Sequence, residues 1–359
     1  MKRTLMTLCG VIAIFTLIGC KSKEDKIAEA IELLNQEKYA EGIALFQEIE
    51  DVQDTLLLNK LATIYADGKG VDQDSTKALQ LWEKSAGLGN AEAQVTMGKS
   101  FQHGKGNKQN KKEAFKWYKK AADQDDADGL YYLGAFYVEG WGIEKDPTKG
   151  IELLKKAVSK DHTLAMNQLG YYYMSGTGIL VNMEEAVKYF QMAADKDDSY
   201  ACCALGNLYR EGKGVKKDLK KSFELYLKAA EKGDIDAMYY VGCDYDKGLV
   251  VKKDGAKAVE WFLKAVNKGD VEAMNYLGFM YEKGNGVDKN MEKAVEMYLM
   301  AAEKGNAQAQ FNIGCCYYLG KGIAKNKKEA LKWWQKAAEQ GNETARENII
   351  AMSFEDDVY

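Results

Sequence analysis

The chain has 359 residues and a formal net charge of −4, from 50 Lys and Arg against 54 Asp and Glu. Basic and acidic residues alternate along its polar stretches, as in Glu224, Lys228, Glu231 and Lys232, which excludes a phosphate-binding stripe and with it nucleic acid as a partner. Two histidines and one proline, Pro147, leave no HExxH pair or Ser-His-Asp order to assemble, and they fit a chain that is almost wholly helical.

In chain order, Met1-Lys2-Arg3 and the uncharged apolar run from Leu5 to Ile18 read as a signal peptide over residues 1–19. The run is too short for a membrane span, which needs about 20 residues. Leu17-Ile18-Gly19-Cys20 resembles the lipobox of bacterial lipoproteins, which implies cleavage before Cys20 and lipidation of its thiol. Without Lys2 and Arg3 the mature chain has 48 basic against 54 acidic residues, a formal charge of −6. Residues 20–26 are then a lipidated polar tether. Several acyl chains on one residue hold a protein on a membrane, where a single chain is marginal. Lys21 is not the aspartate that often retains lipoproteins in the inner membrane. The resemblance therefore points to the bacterial cell envelope and its outer membrane, on the periplasmic side or at the surface. Lys23-Glu24-Asp25 also resembles a short acidic surface-export signal of some lipoproteins. Residues 27–53 read as a capping helical hairpin. Ala30, Leu33 and Leu34 form one apolar stripe and Tyr39, Ile43 and Phe46 the other, around Gln36-Glu37-Lys38.

From there a 36-residue period takes over. Gly-x-Gly starts at Gly68 and returns at Gly104, Gly140, Gly176, Gly212, Gly248, Gly284 and Gly320, with only Val250 breaking the second glycine. A fixed period of this size means stacked supersecondary units, each burying its apolar face against its neighbours. In the unit from Val271 to Asn306, Ala273, Leu277, Tyr281 and Gly284 share one side of a first helix, helix A. Gly284 and Gly286 end it, and Asn290 is placed to cap a second, helix B, whose apolar side carries Ala294, Tyr298, Ala301 and Ala302. A mid-helix glycine costs about 1 kcal/mol against alanine. One nevertheless stands at Gly98, Gly134, Gly170, Gly206, Gly242, Gly278 and Gly314, with Ala62 in the first unit. That pattern predicts a close helix crossing at this point.

The pattern A-x-x-x-L-G-x-x-Y-x-x-G-x-G-V followed by K-A-x-x-W/Y/F-x-x-K-A-A-x-x-G-N resembles the Sel-one-like repeat (SLR), a relative of the tetratricopeptide repeat. Leu205-Gly206, Tyr209, Gly212 and Gly214-Val215 carry it well; Gly150, Ser222 and Asn107 depart from it. The resemblance covers residues 54–342, with residues 343–359 as a capping helix and acidic tail. It implies an all-α fold, an α/α solenoid (right-handed superhelix) of eight repeats that scaffolds protein complexes, and no catalytic residue set.

Other chemistry is thinly represented. Once Cys9 leaves with the signal and Cys20 is lipidated, Cys202, Cys203, Cys243, Cys315 and Cys316 remain, an odd number inside A helices, where cysteine serves as a small apolar residue. Cys203 and Cys243 are the pair best placed for a bridge. Asp123, Asp125, Asp126 and Asp128 resemble a calcium loop only loosely, because Ala127 takes a ligand position. No metal or cofactor is expected.

What remains is the helix A face opposite the core stripe, at positions 12, 9, 8, 5, 2 and 1 before the first glycine. These positions vary between copies, as a surface reading a non-repetitive partner would. Through the middle of the array they hold Tyr131, Tyr132, Tyr171, Tyr200, Tyr239, Tyr240, Tyr276 and Phe279. Asn167, Asn207 and Asn275 are interleaved, and Arg210, Asp236, Asp246, Glu272 and Glu282 supply charge. Tyrosine offers a large rigid area with a polar tip; packing between adjacent A helices is the alternative role for each ring. The expected function is a membrane-anchored, non-catalytic scaffold binding a protein or extended peptide along this face. A cell-envelope hydrolase acting on a β-lactam or cell-wall substrate, and a glycan-binding lipoprotein, are the alternatives.

Overall fold

The computed structural model describes residues 21–356, and every regular element among them is an α-helix. The chain divides into two compact units at Ala165 and Met166. The first holds the hairpin α1 (Lys23–Asn35) and α2 (Tyr39–Gln47), then α3 (Thr55–Asp67), α4 (Ser75–Gly87), α5 (Ala91–His103), α6 (Lys111–Asp123), α7 (Ala127–Glu139) and α8 (Pro147–Ser159). Helix α9 (Thr163–Ser175) runs across the division. The second unit continues with α10 (Met183–Ala194), α11 (Ser199–Glu211), α12 (Leu219–Glu231), α13 (Ile235–Lys247) and α14 (Gly255–Asn267). It is completed by α15 (Val271–Lys283), α16 (Met291–Glu303), α17 (Ala307–Leu319), α18 (Lys327–Glu339) and α19 (Glu343–Asp356). The odd-numbered helices from α3 to α17 are the A helices of eight repeats, and the helix after each is its B partner. The all-α repeat architecture expected from the period is the one observed.

Caps set the helix boundaries. In repeat seven the Asp270 side chain accepts from the Ala273 amide and opens α15, and Asn290 accepts from Lys293 and opens α16, as its sequence position suggested. Before α9 a histidine takes this place: His162 Nδ1 accepts from the Ala165 N–H at 3.1 Å. At the other end of α15, Gly284 sits in the left-handed region at φ 73° and its N–H donates to the Met280 carbonyl. A side chain there would be strained, which is why a glycine ends the helix.

The core of most repeats is a ring set into a notch. A Cβ on Gly206 would lie 2.6 Å from Cε1 and 2.7 Å from Cδ1 of Tyr226, which is fully buried. Gly278 stands in the same relation to Tyr298, at 2.7 and 2.8 Å. The close crossing read from these glycines is therefore present, and what fills it is an aromatic ring from helix B of the same repeat. In repeat three Leu154 replaces the ring and the helices come closer still. A Cβ on Gly150 would lie 2.6 Å from the Gly134 carbonyl oxygen, so alanine does not fit there. Between repeats the contact is made by small residues, such as Ala229 and Ala230 of α12 and Ala237 of α13, all buried.

Two local expectations change, and one position departs from the repeat. The stretch read as tether is helical from Lys23, because Ser22 and Asp25 form a capping box. Helix α19 continues through Asp356, into the stretch read as an acidic tail. Val250 turns without entering the left-handed region that the second glycine adopts in the other seven repeats. Among the described residues no helix is long and apolar enough to cross a membrane. The signal peptide and Cys20 lie outside the described residues.

Candidate partner-binding surface

The expected face separates into two ranks of side chains. In the second unit three aromatic rings stand exposed: Tyr171 at 42%, Tyr200 at 49% and Phe279 at 41% relative accessibility. They come from α9, α11 and α15, at positions 5 or 12 before the repeat glycine. Asp236 and Glu272 are exposed beside them in the same register, and Glu272 accepts from Asn306 Nδ2 at 2.8 Å.

Beneath lies an inner rank that the sequence could not separate from the outer one. Tyr240 stacks on Tyr226 with ring centroids 4.8 Å apart, and Tyr276 stacks on Phe262 at the same distance. Each thus covers the notch ring of the preceding repeat. Tyr239 packs edge-on to Tyr240 at 5.6 Å and to Tyr276 at 6.3 Å. Burial pushes the Tyr239 and Tyr276 phenols up, so both are neutral donors at any physiological pH. These rings are half-buried packing residues with one edge toward solvent.

The polar members are mostly committed within the protein. Arg210 grips Asp244 through both carboxylate oxygens at 2.7 and 2.6 Å and lies over the Tyr226 and Tyr240 rings at 5.1 and 5.4 Å. Burial opposes its charge, the neighbouring carboxylate restores it, and the guanidinium is held protonated. Asn207 Oδ1 accepts from the Tyr226 hydroxyl at 2.7 Å, Asn275 Oδ1 from Asn312 at 3.0 Å, and Glu282 from the Tyr298 hydroxyl at 3.0 Å. Two residues do not belong to the surface at all. Asn167 is buried with its amide on Asp198 at 2.9 Å, and Asp246 is buried, accepting from the Tyr276 hydroxyl at 2.6 Å and from Asn285. Their positions point outward on an ideal helix, but the next A helix and the glycine turn close over them. Asn167 and Asn275 therefore link successive A helices, Asn207 ties the two helices of its own repeat, and none offers a free amide pair to a peptide backbone.

In the first unit Tyr132 stacks on Tyr118 at 4.7 Å, and Tyr131 packs against Tyr132 at 4.8 Å and the His162 ring at 5.1 Å. Burial pushes the Tyr131 phenol up to about 12. The four aspartates that resemble a calcium loop have separate tasks. Asp126 caps α7, Asp128 meets His162 Nε2 at 2.9 Å, Asp123 pairs with Lys119 at 2.6 Å, and Asp125 pairs with Lys160.

The five cysteines of the second unit are free thiols, and the Cys203 to Cys243 bridge is not formed. Four are buried, and burial pushes Cys243 up to about 11 and Cys316 up to about 12. The thiolate, the nucleophilic form, is thereby suppressed.

The Sel1 repeat family matches eight consecutive segments: residues 57–90, 91–126, 127–162, 163–198, 199–234, 235–270, 271–306 and 307–342. No curated protein matches the chain. Among solved structures, a protective antigen of uropathogenic Escherichia coli strains displaying an SLR fold is 28% identical, covering 91% of this chain and 79% of that one, with a TM-score of 0.63. A Sel1 repeat protein from Oxalobacter formigenes is 26% identical, covering 92% of this chain and 95% of that one, with a TM-score of 0.65. With helix–turn–helix units, notch glycines and repeat boundaries all in the same register, the chain belongs to the Sel1 repeat family.

Proposed function

We propose that the chain is a membrane-anchored, non-catalytic scaffold that holds a protein or extended peptide partner on the helix A face of its second unit. The observation that carries this reading is the outer rank of Tyr171, Tyr200 and Phe279, exposed rigid rings above a layer in which Asn207, Asp246 and Asn275 are already hydrogen-bonded. Large aromatic side chains on a firm support, with Asp236 and Glu272 beside them, are the usual composition of an interface centre and its polar rim. Sel1 repeat proteins are in general scaffolds, which supports the same reading. The suppressed thiols and the dispersed carboxylates favour it over a hydrolase. Cys20 is the anchor in this proposal, on the strength of the apolar run and Leu17-Ile18-Gly19-Cys20.

The test is photocrosslinking of the full chain in its own membranes. A benzophenone side chain is introduced in turn at Tyr171, Tyr200 and Phe279, and at Lys228 and Lys264 on B helices as controls. One shared protein adduct from the first three sites and none from the controls is expected. Adducts from the B helices alone would overturn the assignment, and a glycan adduct would replace the peptide partner with a sugar.

A further inference from the structure

The repeats share a rule that the first one breaks. The notch residue 14 places after the first repeat glycine is Tyr118, Leu154, Phe190, Tyr226, Phe262, Tyr298 or Trp334 in repeats two to eight, and each is buried. The first repeat has Trp82 there, and its indole is partly exposed. The substitution at Ala62 accounts for this, and the small residues Ala66 and Thr96 line the space left beside the ring. Ala62 stands where the other repeats have the notch glycine, so its Cβ occupies the space that admits a ring elsewhere. Thr96 stands at the position from which Tyr132 covers Tyr118, Tyr240 covers Tyr226 and Tyr276 covers Phe262. Ala66 stands where Gln102 and Glu282 meet the tyrosine hydroxyls of their own repeats, at 2.6 and 3.0 Å.

The result is a cavity of about 520 Å³ between α3, α4 and α5, with the Trp82 indole and the Tyr132 ring in its wall. That is the size of a small-ligand site. Its charged lining is cationic, from Lys99 and Lys105. His103 lines it too, and no acidic side chain does. Lys99 lies over the Tyr132 ring at 5.0 Å. The Thr96 hydroxyl already donates to the Glu92 carbonyl and Ser100 to that of Lys105, which leaves Lys99 and Lys105 as the charged donors for a ligand.

We propose that this cavity binds an aromatic carboxylate, its ring taken up by the space beside Trp82 and its charge met by Lys99 and Lys105. Such chemistry has two sources, a free aromatic acid and the C-terminal residue of a protein. The site lies wholly within the first unit and is independent of the partner surface on the second.

The experiment is calorimetric titration of the full chain with N-acetylphenylalanine, its amide, and an uncharged-sidechain tetrapeptide ending in phenylalanine, free and amidated. The free acids should bind at least tenfold more tightly than the amides. Thr96→Tyr places in repeat two the residue that covers the ring from repeats three, six and seven, and it should lower affinity more than tenfold. Lys99→Gln alters only a side-chain charge, so it tests the site without endangering the fold, and it should erase most of the preference for acid over amide. Tighter binding of the free tetrapeptide than of the single residue identifies a protein terminus as the source, and equal binding identifies a free acid. No binding of either acid, equal binding of acid and amide, or unchanged binding by Thr96→Tyr in a folded variant overturns the proposal.

Discussion

The notch at Gly206 allows a prediction whose sign reverses with its neighbour. Taken alone, Gly206→Ala should stabilise α11 by about 1 kcal/mol, the helix preference of alanine over glycine. In the native repeat the new methyl would stand 2.6 Å from Tyr226 Cε1. The ring cannot simply withdraw, because it is fully buried, its hydroxyl is held by Asn207 at 2.7 Å, and Ser222 ties α12 to the Gly206 carbonyl at 2.7 Å. Overpacking of this kind costs about 1–3 kcal/mol, so the balance is a loss of about 0–2 kcal/mol, and Gly206→Leu should lose more. Tyr226→Ala is itself damaging, by about 3–5 kcal/mol, but it empties the notch. In that background Gly206→Ala should gain the full helix preference. An array of repeats need not unfold in one step, so the measurement is native-state amide exchange across α11 and α12, supported by the urea midpoint of the whole chain. If Gly206→Ala slows exchange in the wild-type background as much as it does in the Tyr226→Ala background, the ring is not lodged against that glycine.

Two further outcomes follow from paired charges. Arg210→Ala leaves the Asp244 carboxylate buried and unpaired and should lower stability by about 3–5 kcal/mol, whereas Arg210→Met with Asp244→Leu should come close to wild type; an unchanged melting temperature for the single variant refutes this. The hydrogen bond from His162, opposed by partial burial, holds the Asp128 carboxyl below its ordinary 3.8. A depressed folded-state value means that the contribution is complete above pH ~4 and is lost as the pH falls through the folded value, so Asp128→Asn should flatten the acid limb of the stability profile below pH ~4. An acid limb identical to wild type would show that the pair contributes nothing.

The helices, their turns and their caps could be read from the sequence because each is written locally and then repeated. Asn290 announces α16 and Gly284 ends α15 whatever surrounds them. The glycine at Gly278 also announced a close approach, though not what approached, since Tyr298 lies 20 residues further along the chain. The surface was legible only as a face. Tyr276 and Phe279 both lie on the outward arc of α15, yet Phe279 is exposed while Tyr276 stacks on Phe262 of the preceding repeat. Their difference depends on what the neighbouring B helix presents, which the pattern within one helix does not contain. Asn167 and Asp246 were misplaced for the same reason. The cavity beside Trp82 did have a sequence signal: Ala62 stands alone against a glycine in the seven other copies, while Ala66 and Thr96 fall at positions that vary throughout.

The ring-in-notch arrangement also bears on how the chain acquires its structure. Gly206 and Tyr226 are 20 residues apart, and each other notch closes over the same separation. The ends of such a segment meet at little entropic cost, and contacts of short sequence separation go with rapid folding. Each of repeats two to eight can therefore close its own clasp before any distant part of the chain is in place. Nucleation can begin at any of these seven and spread to whichever neighbour is ready, so the order in which repeats form need not follow their order along the chain.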